Sequence, residues 1–524
     1  MTGAQVFSPA DIEQIEKHGL TVAQVEAQLE IFRRGIEPID LDRPCTVGDG
    51  ILRLGEDEID RLGDLYAARG ADPGRAMKFV PASGAASRMF QLLVSCYAKH
   101  GRGGRPVSME EVLNDPEYAE IPKMFTQLDR FAFYDQLRAG LAREGKKLEE
   151  MLEDGRCYQV VEYLLAEKGL NLAGMPKGLI AFHRYPDHVR TPFIEHLVEA
   201  LFYLRDRNGR CRLHFTVAAA HRRLFEQHRE QVLRSLSRDG AEFMVDFSVQ
   251  DPATDTIAVD HDNQPCRNPD GSLVFRPGGH GALLVNLNNL QGDLVFIKNI
   301  DNVVPDRLKP LICRYEKALG GCLVELQEKI FSYLRRLDES AAAAADPAPL
   351  LAEIAAFAAA SLDLKPPAAA ASPSQQAAYW RSRLDRPLRV CAMVKNEGHP
   401  GGGPFWVRPG RHLGGKQIVE SAQVAMENEE QRQIWEQATH FNPVDLVCGL
   451  RDYRGRPFDL AKFTDPRAGL ITRKSKDGQE LKALEHPGLW NGAMADWNTV
   501  FVEVPAATFN PVKTVFDLLR PEHQ

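Results

Sequence analysis

Short runs dense in apolar residues, set between stretches with helical spacing, constrain this chain more than any other feature. Met77-Lys78-Phe79-Val80-Pro81, Gly178–Phe182, Arg212–Val217, Leu294–Ile297 and Val500–Val504 read as strands, and Pro192–Leu204 and His221–Leu236 as helices. Strands that alternate with helices predict an α/β fold with a doubly wound sheet. Around that sheet the sequence predicts four regions. Residues 1–76 read as a helical N-terminal segment, in which Ser8 caps a helix with Pro9 in its first turn and a second helix follows Thr21. Residues 77–337 read as an α/β half, interrupted by a charged helical insertion at 91–170. The Ala/Pro-rich residues 338–386 read as one helix followed by a linker or surface excursion. Residues 387–524 read as a β-rich C-terminal half.

Composition narrows the partners. The 524 residues carry 64 Lys and Arg against 72 Asp and Glu, a formal charge of −8. Such a balance disfavours binding to nucleic acid or to an anionic membrane, which needs clustered positive charge. Nine cysteines are scattered and never form Cys-x-x-Cys, so a disulfide framework or zinc ribbon is not expected. The first residues lack the basic and apolar run of a signal peptide, and the Ala341–Leu364 stretch is broken by Asp346, Pro347, Pro349 and Glu353. The expectation is a soluble, cytoplasmic protein with no membrane or nucleic-acid partner.

Four segments carry candidate chemistry. After the first strand comes Ala82-Ser83-Gly84-Ala85-Ala86-Ser87-Arg88. Its small residues let backbone N–H groups approach an oxyanion, and Arg88 offers a planar fork for phosphate; tight strand–helix packing with a surface arginine explains the same pattern. Arg276-Pro277-Gly278-Gly279-His280-Gly281 allows close approach of a flat ligand, or is simply a turn. Asp301 follows the Leu294–Ile297 strand, where ligands collect in open α/β sheets, and suits a Mg²⁺ that bridges phosphates; Asp–Asn pairs also cap turns. Near the C-terminus Pro511 fixes the chain ahead of Lys513, whose ammonium can neutralise a phosphoryl group or stand solvated. Gly410–Gln417 falls short of a P-loop because Gln417 has no hydroxyl for magnesium.

Taken in order, these segments resemble the UDP-sugar pyrophosphorylase branch of the sugar nucleotidyltransferases. The small-residue loop ending in Ser87-Arg88-Met89 is similar to that family's Thr/Ser-Arg-Leu/Met loop, and Pro176-Lys177-Gly178-Leu179 to its Pro-Lys-Gly segment. Pro277–Gly281 resembles the base-binding loop, Asn299–Asn302 the strand ending in Asp-Asn, and Ile418–Ser421 and His440–Asn442 two segments near the sugar. Phe509–Thr514 with Asp517-Leu518-Leu519 resembles Phe-x-Pro-Val-Lys-Thr and its Asp-Leu-Leu sequel. The matches are collinear over 77–519. Ser83 and Ala86 stand where that family has glycines, and the whole of 91–170 must loop out if Arg88 and Lys177 are to meet. The entire chain also resembles the bacterial domain of unknown function 4301 family, which adds no chemistry.

The resemblance implies a nucleotidyltransferase (GT-A-like) α/β fold with a mixed sheet. It implies a reaction of NTP, with UTP favoured, and sugar 1-phosphate to give NDP-sugar and pyrophosphate. Residues Ala82, Ser83, Gly84, Ala85, Ala86 and Ser87 would hold the triphosphate, and Gly279, His280 and Gly281 would flank the base. Arg88, Lys177 and Lys513 would stabilise phosphoryl charge, Asp301 would hold Mg²⁺, and Glu420 and Asn442 would contact the sugar. Two other readings stay open: a glycosyltransferase on a related fold, which usually shows Asp-x-Asp where this chain has Asp301-Asn302-Val303, and a non-catalytic nucleotide-sugar sensor.

Overall fold

The computed structural model of the chain describes residues 7–101, 115–236, 240–343, 346–368, 370–398, 401–410, 412–476 and 479–524. It is a mixed α/β protein that divides into two compact units. The first comprises residues 1–76, 250–297 and 317–506, the second 77–249, 298–316 and 507–524.

In the second unit three parallel strands, Ala76–Pro81, Arg210–Thr216 and Glu242–Ser248, pair in that order. The helix expected over 192–204 is found at Pro192–Tyr203, with Thr191 as N-cap and proline in the first turn. Beside the strands lies a fully buried set of charges. Lys78 and Lys298 both donate to Glu199, at 2.8 and 2.9 Å, and Lys298 also reaches Glu316 at 3.1 Å. Burial depresses the Lys78 pKa, and Glu199 offsets only part of that shift. Each ammonium is tolerated inside because a carboxylate is within hydrogen-bond distance.

Residues 91–170 are helical where described, with helices at Gln91–Gly101, Ile121–Thr126, Tyr134–Arg143, Leu148–Glu153 and Cys157–Leu165. Residues 102–114 of this expected insertion lie outside the described residues. The insertion buries Leu93, Met124, Phe131 and Leu141 in a core that also takes in Phe90, Val303, Val512, Val515 and Leu518. It is therefore built around the segment that carries Lys513.

In the first unit the mixed sheet runs Thr46–Val47, Gly50–Leu52, Asn498–Glu503, Leu388–Lys395, Asp445–Gly449, Leu294–Lys298. The Leu388–Lys395 strand is parallel to Asn498–Glu503 and antiparallel to Asp445–Gly449. Ser8 and Thr21 each form a capping box, with Asp11 and Gln24 as the returning side chains. The two helices they start bury Ile15, Val25, Leu29 and Phe32 against Ile257 and Val259 of a four-stranded antiparallel sheet.

Three expectations change. The N-terminal segment also contains strands, at Leu41–Pro44, Thr46–Val47 and Gly50–Leu52. Gly178–Phe182 is not a strand: Lys177–Leu179 makes a 3₁₀ turn, and pairing is limited to His183–Arg184. An apolar run that short reads alike whether it is a strand or a buried turn. Finally, the described residues of 338–386 hold two further helices, Ala348–Leu362 and Pro373–Leu384, buried through Ile354, Ala358, Trp380 and Leu384. Ser372, Pro373 and Gln375 form a third capping box, so the Pro-rich stretch marks a helix start.

Leu141 is fully buried in the insertion core. Leu141→Ala should cost about 2–5 kcal/mol, read as a lower denaturant midpoint. A midpoint unchanged from wild type would mean that the insertion contributes nothing to the cooperative core.

Candidate functional site

The second unit gathers the cations expected at phosphate. The Leu294–Lys298 strand leads into Asp301, whose Oδ2 accepts from Lys177 Nζ at 2.7 Å and from Lys513 Nζ at 3.0 Å. Residues 124 and 212 positions away thus meet on one oxygen. Lys177 and Asp301 are nearly buried, at 13% and 9% side-chain exposure, whereas Lys513 is half open at 52%. Burial works to raise the Asp301 pKa, but the ammoniums of Lys513 and Lys177 overcome it and hold the carboxylate below its ordinary value. Burial lowers the Lys177 pKa, and Asp301 recovers only part of the shift. Lys177 and Lys513 thus share one carboxylate, with Asp517 as a second acid acting on Lys177.

Main-chain bonds fix this knot. Val512 N–H donates to the Asp301 carbonyl at 3.1 Å, and Asn510 N–H donates to Asn302 Oδ1 at 3.0 Å. Asp517 Oδ2 accepts from the N–H groups of Lys513 and Thr514 at 2.8 and 2.7 Å. The Lys513 backbone is pinned while its side chain remains partly free. Asp517 was visible in the sequence as the far end of a Thr-x-x-Asp capping box.

The small-residue loop is joined to Lys177 directly. Ala86 N–H donates to the Met175 carbonyl at 3.0 Å and Lys177 N–H to the Gly84 carbonyl at 3.3 Å, so the 91–170 insertion leaves and returns across an Ala85–Pro176 bridge. This pairing keeps the loop extended as far as Ala86, so Arg88 lies in a 3₁₀ turn, Ala86–Arg88, and the α-helix starts only at Gln91. Ser83, Gly84, Ala85, Ser87 and Arg88 are exposed. Among the described residues the N–H groups of Ser83, Gly84 and Ala85 have no protein acceptor, and Arg88 has no ion-pair partner. Ala86, which replaces a glycine of the resembled family, is fully buried in the insertion core, so its methyl does not crowd the open face. Ala82 is committed, its N–H donating to the Thr216 carbonyl at 2.8 Å. Met89 ties the loop to the C-terminal segment, since Val515 N–H donates to its carbonyl at 3.0 Å.

The first unit brings together a second group of the expected residues. Gly279 has φ +73°, a conformation that favours glycine, and a Cβ on Gly281 would sit 2.2 Å from the Pro487 carbonyl oxygen. The loop therefore lies flat against residues 485–487. That stretch also lines a recess of about 560 Å³ with Ile36, Glu37 and His412, within the size range of small-molecule sites. His280 Nδ1 accepts from Leu489 N–H at 3.0 Å, which leaves the proton on Nε2, 3.6 Å from Glu420 Oε1. His280 holds the Glu420 carboxyl below its ordinary pKa. The His280 ring also stacks on Trp490, with centroids 4.2 Å apart.

Asn442 stands differently. Its Nδ2 donates to the Ala392 carbonyl at 3.0 Å and its Oδ1 accepts from Val444 N–H at 3.1 Å, so both ends of the amide are used by the backbone. The amide beside Glu420 is Asn491, whose Nδ2 donates to Oε1 at 2.7 Å. Sequence reasoning passed over Trp490 and Asn491; the Asn-Gly pair after the tryptophan was the available sign of a turn. His412, Gly414 and Gly415 belong to the near-P-loop, of which Arg411 lies outside the described residues; Lys416 binds Asp363 at 2.5 Å and is largely buried.

With this geometry established, comparison supplies a family. The domain of unknown function family DUF4301 matches residues 8–524. The chain belongs to the DUF4301 family. A search of the curated proteins finds no match. Among solved structures the chain is similar to a UDP-glucose pyrophosphorylase from Leishmania major in complex with UDP-glucose, at 12% identity and TM-score 0.45, covering 99% of this chain and 79% of that one. It is also similar to a uridine diphosphate N-acetylglucosamine pyrophosphorylase from Trypanosoma brucei in complex with an inhibitor, at 12% identity and TM-score 0.48, covering 99% and 85%. No described helix is long and apolar enough to cross a membrane.

The Asp301 knot predicts a pH signature. Asp301→Asn leaves Lys177 buried without a counter-charge and should cost about 3–5 kcal/mol near neutral pH. Because the folded-state pKa of Asp301 lies below its unfolded value of about 3.9, its contribution is full above that value. The gap between wild type and variant, measured by denaturant melts, should shrink as the pH falls through the folded-state pKa. A gap that does not change with pH would remove the ion pair from the stability of the unit. For Lys177 the sign is opposite: its acylation midpoint should lie below the ordinary lysine value of about 10.4, and a midpoint at or above that value contradicts the burial.

Proposed function

We propose that this DUF4301 chain is a sugar-1-phosphate nucleotidyltransferase, joining NTP, with UTP preferred, and sugar 1-phosphate into NDP-sugar with release of pyrophosphate, on a nucleotidyltransferase-type α/β fold. One observation carries the reading: Asp301 holds Lys177 and Lys513 on a single oxygen, within a unit whose Ser83–Ala85 N–H groups are unclaimed and whose Arg88 is free among the described residues.

The reaction asks little covalent chemistry of the protein. A sugar phosphate oxygen attacks the α-phosphorus in line and pyrophosphate departs, so catalysis rests on positioning and on neutralising charge. In this reading the loop N–H groups and Arg88 take the β- and γ-phosphates, and Arg88 stabilises the departing pyrophosphate. Lys177, held in place by burial, faces the α-phosphoryl group. Lys513, half exposed above a pinned backbone, exchanges its bond to Asp301 for one to the entering sugar phosphate. In the first unit, the Gly279–Gly281 loop reads the base, and Glu420 reads the sugar.

Mg²⁺ fits the same knot. Asp301 Oδ2 is occupied by the lysines, but Oδ1 is buried and has no hydrogen-bond partner among the described residues. No group of three or more His, Cys, Asp or Glu among the described residues is arranged to hold a metal, so the remaining ligands would be phosphate oxygens and water, as is usual for Mg²⁺. The bound ion would neutralise charge on the phosphates.

The test is release of pyrophosphate from UTP and Mg²⁺ with a panel of sugar 1-phosphates, together with exchange of labelled pyrophosphate into UTP. Wild type should catalyse both. Lys513→Ala should slow turnover roughly a hundredfold or more with an unchanged circular dichroism spectrum. Free-nucleotide release from a nucleotide sugar, without pyrophosphate exchange, would make the protein a glycosyltransferase. Ligand binding with neither reaction would make it a sensor.

A further inference from the structure

Strand Leu388–Lys395 carries an arginine inside an otherwise apolar run, Leu388-Arg389-Val390-Cys391-Ala392-Met393-Val394. Arg389 is fully buried. Its Nε donates to Thr499 Oγ1 at 2.9 Å and its Nη1 to the Trp490 carbonyl at 2.5 Å, while Nη2 is buried without a partner among the described residues. No carboxylate pairs with it among those residues; burial lowers its pKa, and the other ionisable groups acting on it are the thiols of Cys391 and Cys448. A buried charge with no counter-ion is among the costliest arrangements in a protein, and an apolar side chain of similar volume would pack here without that cost. Packing alone gives no reason for an arginine at this position. Its one long-range contact to a candidate ligand-reading element is the Trp490 carbonyl.

Residues 489–491 touch both ends of the cluster in this unit. Leu489 N–H fixes the His280 ring, Trp490 stacks on that ring, and Asn491 donates to Glu420. A carboxylate only accepts, so the bond to Glu420 orients the Asn491 amide and leaves Oδ1 as its free atom. That oxygen is buried in a side chain 2% exposed and has no partner among the described residues. A buried amide oxygen normally has a donor.

We infer that Asn491 is a sugar-reading residue, taking a hydroxyl donor on Oδ1 beside Glu420, and that Arg389 is the positioning residue that holds the Trp490–Asn491 turn for it. The inference rests on the reading of Glu420 as a sugar contact. The ligand class is a hexose moiety with a free hydroxyl within reach of both Asn491 Oδ1 and Glu420. Arg389 acts at one remove, through the Trp490 carbonyl, which sets the turn and hence the reach of the amide.

Calorimetric titration of UDP-glucose into wild type, Asn491→Ala, Arg389→Met and Arg389→Lys tests this, with thermal melts of each. Asn491→Ala should weaken UDP-glucose at least tenfold while binding of UDP changes less than threefold. Arg389→Met should melt at or above the wild-type temperature, because an uncompensated buried charge is gone, yet bind UDP-glucose at least tenfold more weakly. Arg389→Lys, which keeps a donor for the Trp490 carbonyl, should recover most of the lost affinity. Equal affinity of wild type and Asn491→Ala for UDP-glucose, or no binding by wild type, overturns the sugar-reading role. An Arg389→Met protein that loses its fold, or that binds as wild type does, overturns the positioning role. Because the readout is binding, wild type that binds UDP-glucose but releases no pyrophosphate from UTP defeats the proposed reaction and leaves this inference standing.

Discussion

A carboxylate shared by two ammoniums organises the second unit. Asp301 holds Lys177 and Lys513 on Oδ2, its own carbonyl accepts from Val512, and its neighbour Asn302 receives Asn510. Three chain segments far apart in sequence are thereby brought to one place. With the acid removed, like charges would be left side by side in a poorly solvated place, so geometry and electrostatics fail together. The arrangement also suits its proposed use. Both ammoniums share one oxygen of Asp301, so in the proposed reaction either can exchange that bond for one to a phosphate oxygen.

The insertion at 91–170 shows how a long excursion can leave a site intact. Its entry and exit meet across two main-chain hydrogen bonds between residues 84–86 and 175–177, so the loop and Lys177 are neighbours whatever lies between them in sequence. Closing a longer loop costs only slowly growing entropy, and here the excursion builds its own core to meet that cost. Because this core includes Val512, Val515 and Leu518, the insertion also supports the segment that presents Lys513. The same segment is bound by Asp517 on its backbone, which leaves freedom only in the lysine side chain.

In the first unit the proposed ligand contacts are arranged by second partners. His280 is oriented by a backbone N–H on Nδ1 and by the Trp490 face, and it holds Glu420 ionised. Asn491 is oriented by Glu420, and the turn that carries it is tied to a buried arginine. Each partner removes a rotamer or a tautomer from the choices open to the next, which is what preorganisation of a binding site requires.

By itself the sequence determined the local chemistry. Ser8 and Thr21 ahead of helices set their starts, because a capping side chain satisfies N–H groups within one turn. Apolar runs set the central strands, and small residues marked the 82–87 loop, whose extended course is fixed by pairing with residues 175–177. Residue identities also named Lys177, Lys513 and Asp301, which the structure brings together. What the sequence left open were matters of distance. The sequence pointed to Asn442, but packing gives that amide backbone partners at both ends and leaves Asn491, which the sequence did not single out, with an unpartnered oxygen among the described residues. Nothing in the local sequence relates Arg389 to its Trp490 partner, 101 residues away. Likewise Lys177 could join Arg88's loop only through hydrogen bonds between residues that no local pattern relates. Short-range hydrogen bonding and periodicity are written in neighbouring residues, whereas which buried polar group finds which partner is settled by how the chain closes on itself.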